Sequence, residues 1–103
     1  MSQPKRAKRT VDNGTLTLSL DNYAGTLYDK ITQDQAILVS IMNPTPAGWA
    51  LISIVANGSA ITIPSSWKKW GGEDISTTSG QTNHLSVFYK DADNIYYTNM
   101  VEL

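Results

Sequence analysis

Apolar and polar residues alternate with a period of two along much of this chain. Thr15-Leu16-Thr17-Leu18-Ser19-Leu20 alternates without a fault, the pattern of a strand with one buried face. Asp21-Asn22 follows as a turn, and residues 23–28 read as a short strand or bend around Gly25. Residues 36–42 and 48–55 are near-continuous apolar runs, which predicts strands covered on both faces. Pro44 and Pro46 stop the first run, because neither can donate to a ladder. Asn57-Gly58 closes the second and predicts a tight hairpin leading into residues 60–63. From Pro64 to Asn83 turn-forming residues dominate. Residues 84–90 and 94–101 then predict two strands joined by Asp91-Ala92-Asp93. No segment carries the 3.6-residue period of a helix, and no internal repeat shows itself.

About seven or eight short strands with regular turns and no helix predict an all-β fold. The expected architecture is an antiparallel β-sandwich of the jelly-roll-like kind over residues 13–103, preceded by a flexible N-terminal arm, residues 1–12. A chain of 103 residues makes one domain and buries about two-thirds of the surface it exposes when unfolded. Composition sharpens this picture in two ways. Charged residues make up only 17%, and their place is taken by 11 Thr, 10 Ser and 7 Asn, which suit pleated surfaces and turns and are frequent where copies of a chain stack together. The charge is also uneven. Residues 1–10 hold Lys5, Arg6, Lys8 and Arg9 with no acid, whereas the rest holds four lysines against nine acids. The basic segment lacks apolar residues to offset its ordering entropy, hence the expectation that it is flexible.

The same inventory excludes several kinds of chemistry. With no cysteine there is no disulfide, no thiolate-bound metal and no thiol nucleophile. No apolar run is long enough for a membrane helix, and the N-terminus lacks the apolar stretch of a signal peptide, so a chain made in the cytosol and not exported by that route is expected. His84, the single histidine, has no G-x-S-x-G elbow to serve and is expected at a strand edge; no metal site and no cofactor are expected. Asp91 with Asp93, and Glu73 with Asp74, read as solvated turn residues in preference to paired catalytic carboxylates or calcium ligands. The chain is therefore not expected to be an enzyme.

Two features stand out as candidates for recognition. Ser66-Trp67-Lys68-Lys69-Trp70-Gly71-Gly72 sets two tryptophans three residues apart between lysines. Trp67 and Trp70, with Trp49 and Tyr96, are candidates for a subunit interface or for stacking on sugar rings; the alternative is that Trp67 and Trp70 cap the open end of the fold. Lys5, Arg6, Lys8 and Arg9 are candidates for anchoring the chain to an acidic protein surface. Nucleic acid is the disfavoured partner, because outside the arm the chain is acidic.

The order of these segments resembles a small domain found in tailed-bacteriophage fibre and decoration proteins. The resemblance is carried by a strand at residues 60–64, the Trp-rich turn with its double glycine at residues 66–72, a polar Thr-rich segment at residues 75–80, and the strands containing His84-Leu85-Ser86-Val87-Phe88-Tyr89 and Asn94-Ile95-Tyr96-Tyr97. It spans about residues 14–101; Lys68-Lys69 depart from it, standing where such domains often carry apolar residues or proline. The resemblance implies a virion structural role, a homotrimer, contact with other capsid or tail proteins and with host surface glycan, and no cofactor. No long repetitive shaft precedes the domain, which shifts the expectation from a full tail fibre to a short head or tail fibre or decoration protein, assembled in the host cytoplasm and located in the virion.

Overall fold

The positions that alternate into the apolar phase are the ones the fold buries. In the computed structural model, which describes residues 3–103, Leu16, Leu18, Leu20, Val39, Ile52, Ile54, Leu85 and Val87 are all fully shielded from solvent. Met1 and Ser2, the first residues of the predicted arm, lie outside the described residues. The described chain forms ten strands and no helix: β1 (Lys5–Ala7), β2 (Thr15–Ser19), β3 (Thr26–Tyr28), β4 (Ile31–Thr32), β5 (Ile37–Met42), β6 (Gly48–Val55), β7 (Ile61–Thr62), β8 (Lys68–Gly72), β9 (Thr82–Asp91) and β10 (Asn94–Glu102). A seven-stranded sheet runs β1-β3-β6-β9-β10-β8, with β4 also paired to β6, and a three-stranded sheet runs β2-β5-β7. Apolar side chains from both sheets meet in one core.

The all-β expectation holds, but the strands are not arranged as an antiparallel array. Of the eight strand pairings found among the described residues, six are parallel, and only β6–β9 and β9–β10 are antiparallel. From β1 to β7 the chain passes back and forth between the sheets. The excursion through the other sheet takes up the reversal of direction, so consecutive rungs of one sheet run the same way. Thr15, Leu38 and Thr62 stack at intervals of 23 and 24 residues, and Ile31 stacks on Ile54 at 23. The arrangement is solenoid-like, with about 23 residues per turn. This structural repeat is silent in the sequence because stacked positions need share only their direction, in or out: Leu16 lies beside Val39, and Thr17 beside Ser40. Strand β9 then runs antiparallel to β6, where a further parallel rung would have gone, and the β9–β10 hairpin ends the winding.

Three local expectations fail. Asn57-Gly58 does not make a hairpin, because β6 and β7 belong to different sheets; it is a corner between them. The corner is held by the buried side chain of Gln33, whose Nε2 donates to the carbonyls of Ser59 and Ala60 and whose Oε1 accepts from the Asn57 amide. The apolar runs are not covered on both faces either. Strand β6 alternates buried and half-buried residues, and Leu38 of β5 is 46% exposed, because among the described residues no third layer of strands or helices lies outside the two sheets. Lastly, the basic segment is not a free arm. Its residues 5–7 are strand β1, paired in parallel with β3, and Ala7 and Val11 pack against the core. Backbone hydrogen bonding and two small apolar contacts supply what composition alone does not show.

Candidate functional site

The outer face of the large sheet carries a row of aromatic rings. Ala50, Ile52 and Ile54 of β6 point into the core, so Trp49 points away from it. Strand register sets Trp49 beside Phe88 of β9, Phe88 beside Tyr96 of β10, and Tyr96 beside Lys68 of β8. Trp70 shares the face of Lys68, two residues away, and its ring centre lies 5.2 Å from that of Tyr96 with the planes tilted by 49°. Trp70 is 69% exposed. With Ser86 and Thr98 these rings line a cavity of about 270 Å³ whose walls are almost wholly apolar. Four paired strands of one sheet carry the aromatic faces, so a ligand stacking there would find them already in place.

Two glycines make the row close up. Gly25 lies under the Trp49 indole so tightly that a Cβ on it would sit 2.1 Å from two ring carbons. Gly72 has a φ of +86°, and a Cβ there would stand 2.5 Å from the Asn99 carbonyl oxygen and from Thr98 Oγ1. The second glycine of the pair thus lets β8 lie against β10 and aims Trp70 across Tyr96.

One end of the trough has a polar rim. The Asp91 carboxylate accepts hydrogen bonds from Asn94 Nδ2 at 2.8 and 3.1 Å and from the Asp93 amide at 2.9 Å. The bond from Asn94 is the chief cause that holds the Asp91 carboxyl below its ordinary pKa. With its amide so fixed, Asn94 presents Oδ1 to Lys68 Nζ at 2.6 Å and to the Tyr96 hydroxyl at 3.4 Å, and Lys68 Nζ lies 5.8 Å from the centre of the Tyr96 ring. Asp91 and Asp93 act here as turn residues that orient this rim.

Of the four aromatic candidates, Trp49, Trp70 and Tyr96 come together in the trough. Trp67 does not. It is 8% exposed and belongs to the core cluster, so it offers no stacking face. Residues three apart in extended chain face opposite ways, which separates Trp67 from Trp70. Phe88 joins the site without having been singled out; recognising β6, β9 and β10 as neighbours is what would have found it.

The four basic candidates take different environments. Lys5 pairs with Asp21 at 2.6 Å and Arg9 Nη2 donates to Met42 Sδ at 3.4 Å, whereas Arg6 and Lys8 are exposed. Hydrogen bonding from Lys5 is the main cause that lowers the Asp21 pKa.

Two polar clusters were not anticipated. Ser53 Oγ lies 2.7 Å from His84 Nδ1, and His84 Nε2 lies 2.9 Å from Glu102 Oε1, an order of groups familiar from acyl-transfer triads. They lie across the outer face of β6, β9 and β10, where β9 is paired on both edges and its amides are committed to the ladder. The trio links β6, β9 and β10 through side chains on that face. The second cluster is buried. Asn99 Nδ2 donates to Asn83 Oδ1 at 3.1 Å, and Asn83 exchanges two bonds of 2.8 Å with the Ser76 backbone, fastening the loop after β8 to the sheet.

The chain matches no protein-family profile, no curated protein and no solved structure.

Proposed function

We propose that this chain is a non-catalytic virion domain of the short head or tail fibre or decoration kind, and that it grips host surface glycan through the trough of Trp49, Trp70, Phe88 and Tyr96. The observation that supports this reading is the trough itself. Aromatic rings from four neighbouring strands form one apolar surface on the outer face of a sheet, and a hydrogen-bonded rim of Asn94 and Lys68 stands at its edge. Flat aromatic faces take up the C–H faces of sugar rings by dispersion and desolvation, and the rim offers partners for ring hydroxyls. In this reading the two sheets make up a sandwich wound from a solenoid-like coil. The half-covered apolar positions on its outer surfaces, such as Leu38 and Met100, suit packing between copies, as in a homotrimer. Arg6 and Lys8, exposed on the docked basic segment, contact the capsid or tail.

The test pairs two measurements on the purified chain. On an array of bacterial surface glycans, the wild type binds with a change in tryptophan fluorescence, and Trp70→Ala weakens binding by about tenfold or more while keeping the wild-type circular dichroism. Silence of the wild type across the array refutes glycan recognition. Light scattering gives three times the 11.3 kDa chain mass for a trimer, and a monomer at all concentrations refutes self-association.

A further inference from the structure

A second cavity lies on the other side of the molecule, where the basic segment crosses from β1 to β2. The two-residue turn Asn13-Gly14, closed by reciprocal backbone bonds between Asp12 and Thr15 of 2.9 and 3.0 Å, folds residues 8–12 back toward β2. Leu16 and Leu18 face the core, so Thr15 and Thr17 face outward. Together with Lys8, Arg9, Thr10 and Asp12 they line a cavity of about 310 Å³.

Arg9 is the unusual member. A guanidinium carries five N–H donors and no acceptor. Nη2 of Arg9 donates to the thioether of Met42, a weak acceptor, and Nε is buried without a hydrogen-bond partner. No carboxylate forms an ion pair with it among the described residues, although Asp12 lines the same cavity and Asp34 a neighbouring one. Arg9 as a whole is half-buried, but buried polar atoms such as its Nε are otherwise almost always satisfied. Asp12 is the one lining group that opposes an anion; against it, Lys8 adds a second cation, and Thr10, Thr15 and Thr17 add three hydroxyls able to donate.

We propose that this cavity is a binding site for an oxyanion carried on a small organic body, a carboxylate or phosphate received by the Arg9 guanidinium with support from Lys8 and the three threonines. Two features set the ligand class. The planar guanidinium matches two oxygens of one oxyanion, which a lysine in its place would not do. The cavity is at the lower end of the range for small-molecule pockets, with room for a body of about the size of one sugar ring beside the charged group. This site is separate from the aromatic trough and does not depend on glycan binding there.

The experiment is a nuclear magnetic resonance titration of the full chain with glucuronate, glucose 6-phosphate and glucose, at constant ionic strength so that screening does not change. Either acid produces saturable shifts of the Arg9 Nε–H and of the Thr10, Thr15 and Thr17 amides, with a dissociation constant on the order of 1 mM, and glucose produces none. The stronger of the two acids identifies a carboxylate or a phosphate as the preferred group. Arg9→Gln removes binding, and Arg9→Lys, which keeps the charge but loses the fork, weakens it by about tenfold. Thr17→Val, at an outward strand position that tolerates β-branched residues, weakens it by about threefold and serves if the Arg9 variants fail to fold. The proposal is overturned if neither acid shifts these signals at about 50 mM, a concentration well above the expected dissociation constant. It is equally overturned if glucose shifts them as the acids do, or if the variants bind like the wild type.

Discussion

Replacing Trp67 and Trp70 by alanine, one at a time, tests the division of labour that the fold assigns to two residues only three apart in sequence. Trp67 is 8% exposed within the core, and Trp70 is 69% exposed. Truncating a buried tryptophan removes its transfer free energy and leaves a cavity, a loss of about 3–5 kcal/mol. At about 2.1 cal/mol/K of unfolding entropy per residue, a chain of this size should then melt roughly 14–23 °C lower. Trp70 forfeits mainly its contact with Tyr96, worth about 0.5–1.5 kcal/mol between buried rings and less here, so its loss should move the melting temperature by less than about 5 °C. Far-UV circular dichroism is the assay, by heat and by urea, because tryptophan fluorescence is itself altered by both changes. In urea the Trp67→Ala midpoint should fall by about 2 M at a slope of about 2 kcal/mol/M, with the slope unchanged. Equal destabilisation by the two variants, or a neutral Trp67→Ala, would show that the inward and outward assignments are wrong.

Gly25→Ala should disturb the trough from beneath. Its Cβ would stand 2.1 Å from the Trp49 ring at a φ of +90°, so the indole must swing away; a stability loss of about 1–3 kcal/mol and a changed near-UV dichroism spectrum are expected, and an unaltered spectrum would contradict the packing. Acidification should loosen the basic segment. Lys5 lowers the Asp21 pKa in the folded state, so the stabilisation is present above the unfolded carboxylate pKa and is lost as pH falls through the lowered folded value. Amide shifts of residues 5–7 followed from neutral to acidic pH should move through that window in the wild type and stay flat in Asp21→Asn.

The strands with strong alternation were legible from sequence because one buried face is all that period-two patterning encodes. Residues 15–20, 48–55, 84–90 and 94–101 all lie on or across observed strands, with ends shifted by a residue or two. Strands β1, β4 and β8 left no such trace. They are two to five residues long, and the five residues of β8 are all exposed, so hydrogen bonding to a neighbour defines them and no buried face betrays them. Direction was hidden for a related reason. Alternation reads the same in a parallel and an antiparallel ladder, and Asn57-Gly58 marks a reversal of the chain without telling which sheet receives it. The candidate site was half visible. Trp49, Trp70 and Tyr96 draw attention by residue type, but their convergence depends on β9 and β10 lying between β6 and β8, a long-range ordering that no local pattern contains.

The 23-residue winding restricts how a chain of this design can change its length. A segment of one full turn, inserted at a corner, would add a rung to each sheet and leave every inward side chain facing inward. A single residue inserted within β5 would instead rotate Leu38 into the core and Val39 out of it, and would carry that error to the end of the strand. Corners are the places that can absorb an odd residue: Lys5, Thr26 and Ala50 stack in one column at unequal intervals of 21 and 24. Growth and loss in such a chain therefore proceed by duplication or deletion of whole turns, with small adjustments confined to the bends between sheets.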